Sequence, residues 1–101
     1  MASGYLGVLT FDLHFPESHS LKGKRSHLRH TKAQLERRLG ASVAEVDFHD
    51  LWQRARLTLV VVRRESGEAV RALDEAERYL SGQDYDLIGC TRSLLSVEED
   101  L

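Results

Sequence analysis

The sequence has almost none of the residues that build cross-linked or metal-bound scaffolds. Its single cysteine, Cys90, cannot form an internal disulfide and leaves a zinc knuckle without its ligands. Proline and tryptophan each occur once, as Pro16 and Trp52. No apolar run exceeds Leu59-Val60-Val61-Val62, which suits a buried strand and falls far short of a bilayer span. Met1-Ala2-Ser3-Gly4 carries neither the basic stretch nor the apolar core of a signal peptide, which predicts a cytoplasmic protein with no membrane partner. A glycine-rich phosphate loop is missing: Gly23 stands alone, and Gly4 and Gly7 precede no helix. What is present is 42% hydrophobic and 30% charged residues in 101, the balance of one domain, 1–101, with a single core.

The formal net charge of -2 conceals two opposed blocks. From Lys22 to Arg38, seven Lys/Arg residues stand against Glu36 alone; from Glu65 to Asp86, seven acids stand against Arg71 and Arg78. The tail adds Glu98, Glu99 and Asp100. Two readings follow. The blocks form neighbouring helices that neutralise one another, or the basic block is a face for a polyanion.

Hydropathy alternates from Tyr5 to Phe15, with Tyr5, Gly7, Leu9, Phe11, Leu13 and Phe15 on one side. Leu6, Val8, Thr10, Asp12 and His14 take the other, so the period is that of a strand, which Pro16 stops. Ser20 is placed to cap a helix with Leu21, Leu28, Leu35 and Leu39 on its inner face, ended by Gly40. A second strand is expected over Ser42 to Phe48 and a third over Gln53 to Arg63, with Ala55, Leu57, Leu59 and Val61 inward. Ser66 then caps a second helix carrying Ala69, Leu73, Ala76 and Leu80, which Gly82 ends. Tyr85 to Val97 reads as a last strand with a bend at Gly89.

This order predicts an α+β, ferredoxin-like βαββαβ sandwich: a four-stranded antiparallel sheet with two helices on one face. Strands 1 and 2 would both flank strand 3 and end beside its beginning. Asp12 and His14 would then meet Arg54 and Arg56 on the open face, with Glu45 and Asp47 approaching from the other side and Trp52 close by. Such a cluster is either a cross-strand charge ladder or a recognition face for a phosphate, carboxylate or partner chain, with Arg54 or Arg56 as bidentate donor. Trp52 is either a core plug or a stacking platform.

Four motifs in order carry a family resemblance. They are Asp12-Leu13-His14-Phe15-Pro16, His19-Ser20-Leu21-Lys22-Gly23-Lys24-Arg25, Ser42-Val43-Ala44-Glu45-Val46 and Asp50-Leu51-Trp52-Gln53-Arg54-Ala55. Over roughly the first two-thirds of its length the chain resembles the YlxP-like family of small bacterial proteins of unknown function. The resemblance implies a ferredoxin-like fold. Family genes often neighbour those for transcription elongation, translation initiation and ribosome maturation, which implies an RNA- or ribosome-associated role. Members often have an acid where this chain has Gly23, which would complete a capping box with Ser20.

Catalysis would need Asp12 and His14 as an acid–base pair with Arg54 steadying charge, yet no serine or cysteine is placed beside His14. His19, His27 and His30 have no nearby carboxylate or thiolate to complete a metal site. Strand 3 lacks the aromatic pair of an RRM, and no Gly-x-x-Gly loop supports a KH reading. Helix 1 instead offers two exposed rows, Lys22, Arg25, Arg29, Lys32 and Glu36 in one, Lys24, His27, Thr31, Gln34 and Arg38 in the other. On the open face Val8, Thr10, Thr58, Val60 and Val62 form a patch that a second copy would bury, unless the segment after Gly89 folds across it.

The sequence therefore predicts a non-enzymatic accessory of RNA or the ribosome, without cofactor or metal. Its alternative is a homodimeric or larger scaffold, paired through the open sheet face, that binds a protein or small anion at the Asp12/His14/Arg54 end.

Overall fold

A computed structural model describes residues 2–17 and 19–98; Glu99 and Asp100 of the acidic tail lie outside them. The elements are β1 (Ala2–His14), α1 (Leu21–Leu39), β2 (Ser42–Asp47), β3 (Arg54–Arg63), α2 (Ser66–Ser81) and β4 (Asp86–Glu98). The sheet is antiparallel throughout, in the order β2-β3-β1-β4, so the fold is the ferredoxin-like sandwich. Among the described residues no helix is long and apolar enough to cross a membrane.

Alternation in β1 and β3 sets the core. Leu9, Phe11 and Leu13 of β1 stand opposite Leu59, Leu57 and Ala55 of β3, and all six are buried beneath the helices. Leu28, Leu35 and Leu39 of α1 and Ala69, Leu73, Ala76 and Leu80 of α2 close over them. Gly7 leaves room for its neighbours: a Cβ there would lie 3.1 Å from Val61 of β3 and 3.3 Å from Leu73 of α2. Gly40 adopts φ 64, the left-handed turn that ends α1, and its N–H donates to the Glu36 carbonyl.

Three expectations need correction. The N-cap of α2 is Glu65, and the Glu68 carboxylate reaches back to accept from its N–H at 3.1 Å; Ser66 is the first helical residue. The segment after Gly89 does not cross the open face but pairs with β1 as an edge strand. Finally, β2 carries an irregularity between Glu45 and Asp47. Val43 and Glu45 stand opposite Leu59 and Leu57, hence on the helix side, whereas Asp47 stands opposite Arg56 on the open side. A one-residue slip changes the face of everything after it.

The open face consequently grades along the strands. Leu6, Val62 and Leu95 form one cross-strand row, Val8, Val60 and Ser93 the next, then Thr10, Thr58 and Thr91. Thr10 and Thr58 hydroxyls are 2.8 Å apart. Beyond them come Asp12 beside Arg56, then His14 between Arg54 and Asp86.

Candidate functional site

At the charged end, Asp12 is the hub. Its carboxylate accepts from Arg56 Nε at 2.7 Å and Arg56 Nη2 at 3.0 Å, a bidentate pair, while Arg54 Nη2 lies 3.8 Å away. The Arg56 hydrogen bonds hold the Asp12 carboxyl below the usual carboxylate range, outweighing its partial burial, with the charges of Arg56 and Arg54 adding to them. Arg56 also lies 3.7 Å from Asp47. With two carboxylates around it, Arg56 is largely committed within the fold. Arg54 is less so: its Nε is buried without an acceptor among the described residues. His14 pairs with Asp86, Nδ1 to Oδ2 at 3.2 Å, so its carboxylate partner comes from β4.

Phe48 joins the site without a signal of its own in residue type or spacing: its ring lies 4.8 Å from the Arg54 guanidinium carbon and 4.9 Å from that of Arg56. It reaches this face because the slip in β2 turns the chain and Phe48 itself adopts φ 64. The only hint in the sequence was an alternation that runs into His49-Asp50, a pair suited to a turn.

The loop that follows is held from below. Lys24 Nζ donates to the Phe48 carbonyl at 2.7 Å and the Leu51 carbonyl at 2.9 Å, and lies 3.1 Å from Glu45 Oε2. Lys24 is only 1% exposed, so the expected basic surface position is instead a buried latch. Glu45, expected beside the arginines of the open face, is its counter-ion on the helix side. Leu51 N–H closes the turn onto the Phe48 carbonyl at 3.1 Å. Thr31, also expected outside, is buried and bonded to the Tyr85 hydroxyl at 2.8 Å.

So held, the loop presents Trp52 to solvent. The indole is 54% exposed and is no core plug. Asp50, Leu51, Trp52, Gln53 and Arg54 line an open depression of about 370 Å³.

The remaining cations lie on α1. Lys22, Arg25 and Arg29 are exposed and Lys32 is half-buried. Helical geometry turns about 100° per residue, and Lys24, Leu28, Thr31 and Leu35 mark the buried line. On one side of that line His27 stacks on Phe15, centroids 5.5 Å apart, and Arg38 caps the Tyr79 ring of α2 at 4.8 Å. Arg25, Arg29 and Lys32 take the opposite flank, away from α2 and above the β2 edge of the sheet. That edge ends in the Trp52 loop. Two acids of α2 serve another partner: Asp74 and Glu77 both bind Arg92 of β4, at 2.7 and 3.1 Å. None of Lys22, Arg25, Arg29 and Lys32 has a carboxylate within 4.0 Å among the described residues. The two charged blocks do not cancel.

Cys90 is an exposed residue of β4, and partial desolvation of its thiol together with the nearby Glu77 carboxylate pushes it up to about 11. Among the described residues no three His, Cys, Asp or Glu side chains are grouped to hold a metal.

Residues 6–91 match the model of a family described as a protein of unknown function, DUF503. The chain belongs to that family. No curated protein matches it. Among solved structures it is similar to a Bacillus cereus protein assigned as an antibiotic biosynthesis monooxygenase, at 17% identity and TM-score 0.44, over 97% of this chain and 96% of that one. It is also similar to a REP-associated tyrosine transposase bound to a REP hairpin, at 13% identity and TM-score 0.41, over 98% of this chain and 59% of that one. Neither likeness bears on activity.

Proposed function

We propose that this DUF503 protein is a non-enzymatic accessory that holds RNA by its phosphate backbone along the outer flank of α1. The observation that carries the reading is the row Lys22, Arg25, Arg29 and Lys32, four cations that end in the single acid Glu36 and have no ion pair with the acidic helix among the described residues. Buried Leu28 and Leu35 fix the row outwards. A row of this kind tracks phosphates through counterion release and reads no bases. The YlxP-like resemblance, with its neighbouring genes of translation and ribosome maturation, supports the same class of partner and a place in the bacterial cytoplasm. Lys24 and Glu45 drop out of the binding set, and Arg56 enters it only as a neighbour of Arg54.

The test is a salt titration with labelled single-stranded RNA. Four phosphate contacts give a log–log slope of about -2.8, from about -0.7 for each. Replacing Arg29 and Lys32 by glutamate lowers affinity and flattens the slope in a protein that still folds, since neither supports the core. A flat titration at low salt with folded protein overturns the reading.

A second reading has its own observation. The apolar end of the open face is uncovered, with Val62 61% and Leu95 50% exposed, so a second copy of the chain is the scaffold alternative. The Asp12/His14/Arg54 end would then lie at the rim of the pair.

A further inference from the structure

Resting on the RNA reading, we infer that Trp52 is a stacking platform for an unpaired base, which makes the partner single-stranded RNA. Three independent features meet at this loop. The side chain is exposed, although a tryptophan has a large apolar surface that stands in water at a cost. The backbone beneath it is fixed by a buried ammonium, Lys24, which ties the Phe48 and Leu51 carbonyls to the first turns of α1. A platform fixed in this way loses little freedom when a ring settles on it. Beside it, lining the same depression, Arg54 is partly exposed and its Nη2 stands 3.8 Å from Asp12, too far for a hydrogen bond.

Position joins these features to the basic row. Lys24 sits in α1 between Lys22 and Arg25, so the Trp52 loop lies within one lysine side chain of the start of the row. A strand following Lys32, Arg29 and Arg25 along the β2 side of α1 arrives at Trp52, where a base stacks and the next phosphate meets Arg54. A cationic track ending at an aromatic face is the general construction of single-strand binders. Duplex RNA keeps its bases paired and offers the indole nothing to stack on.

Trp52 is the only tryptophan, so its emission reports the contact directly. Titrating the full chain with a short oligoadenylate at low salt, with anisotropy of the labelled RNA followed in parallel, should quench the indole as the RNA binds. W52A should weaken binding roughly 10-fold while leaving the salt slope unchanged, because a base contact is lost and no phosphate contact is. W52F should recover part of the loss. Emission that stays constant as anisotropy saturates, or W52A binding as tightly as the parent, overturns the stacking inference and leaves backbone binding standing. Equal quenching by duplex RNA also overturns it. Absence of any salt-dependent binding removes both.

Discussion

Lys24 shows how one residue can be misplaced by its type and correctly placed by its spacing. Lysine is among the residues least often buried, and Lys24 lies in a run of cations, so the surface is its expected place. Yet it stands four residues before Leu28 and so on the same helical stripe, and the stripe wins. Burial is tolerable because two carbonyls accept from the ammonium and the Glu45 carboxylate, itself only 22% exposed, stands 3.1 Å away as its counter-ion. K24M should therefore destabilise the fold by about 3 kcal/mol, the cost of leaving a mostly buried carboxylate without its cation. Adding E45L should restore only part of this, since the Phe48 and Leu51 carbonyls still lack a donor. Denaturant unfolding of both variants checks the sequence of stabilities, and Trp52 emission reports the loosened loop. A K24M protein as stable as the parent would mean that the latch contributes nothing.

At the scale of the element, the two helices begin differently. In α2 the Glu68 side chain returns to the Glu65 N–H, whereas α1 has Ser20 accepting from the Gly23 N–H at 3.1 Å and no acid in its first turn. Gly23 contributes maximal backbone entropy to the unfolded chain and nothing to the helix dipole. G23E should complete the capping box and add about 1 kcal/mol, raising Tm by about 5 °C in a domain of this size. A thermal melt decides it, and an unchanged or lowered Tm sinks the argument. The elements themselves were legible in the sequence because β1 and β3 alternate without interruption and α2 keeps its 3.6-residue spacing. The second strand was legible too, but its facing was not. Its pattern, Ala44 and Val46 against Val43 and Glu45, is too short and too evenly apolar to declare a face, and the slip before Asp47 leaves no composition signal. Hence Asp12, Arg54 and Arg56 were placed together correctly, since all three come from the regular strands. Trp52 also lies at that end, as its place just before β3 implies, whereas Glu45 faces the helix side and Phe48 joins the arginines, since both of these positions depend on the slip.

On the scale of the whole molecule, charge and hydrophobicity are segregated in two directions. Across the helix layer, the cations of α1 and the acids of α2 occupy opposite flanks, so the protein has a directional field despite a net charge of -2. Along the strands, the open face runs from valines and leucines through a row of threonines to the Asp12–Arg56 pair. The long edge strand β4 increases the exposed apolar surface by Leu95 at its open side and Leu94 at its helix side, both about half exposed. Edge strands are usually guarded by an outward charge or a proline. Here the only basic residue of β4, Arg92, is turned inward onto Asp74 and Glu77. A molecule 50 × 25 × 21 Å has on its open face room for the about 800 Å² per partner of a standard interface. A second copy laid apolar end to apolar end would bury Val62, Val60 and Leu95 and leave both α1 flanks and both Trp52 loops free. Sedimentation equilibrium at tens of micromolar should then show a dimer, and V62D combined with L95D should return it to monomer with an unchanged fold, since both side chains are exposed in one copy. Because the basic flank takes no part in the contact, the double variant should keep the salt slope of each chain for RNA while losing the gain in affinity that two linked sites confer on a long RNA. A parent protein that stays monomeric at high micromolar concentration rejects the paired face.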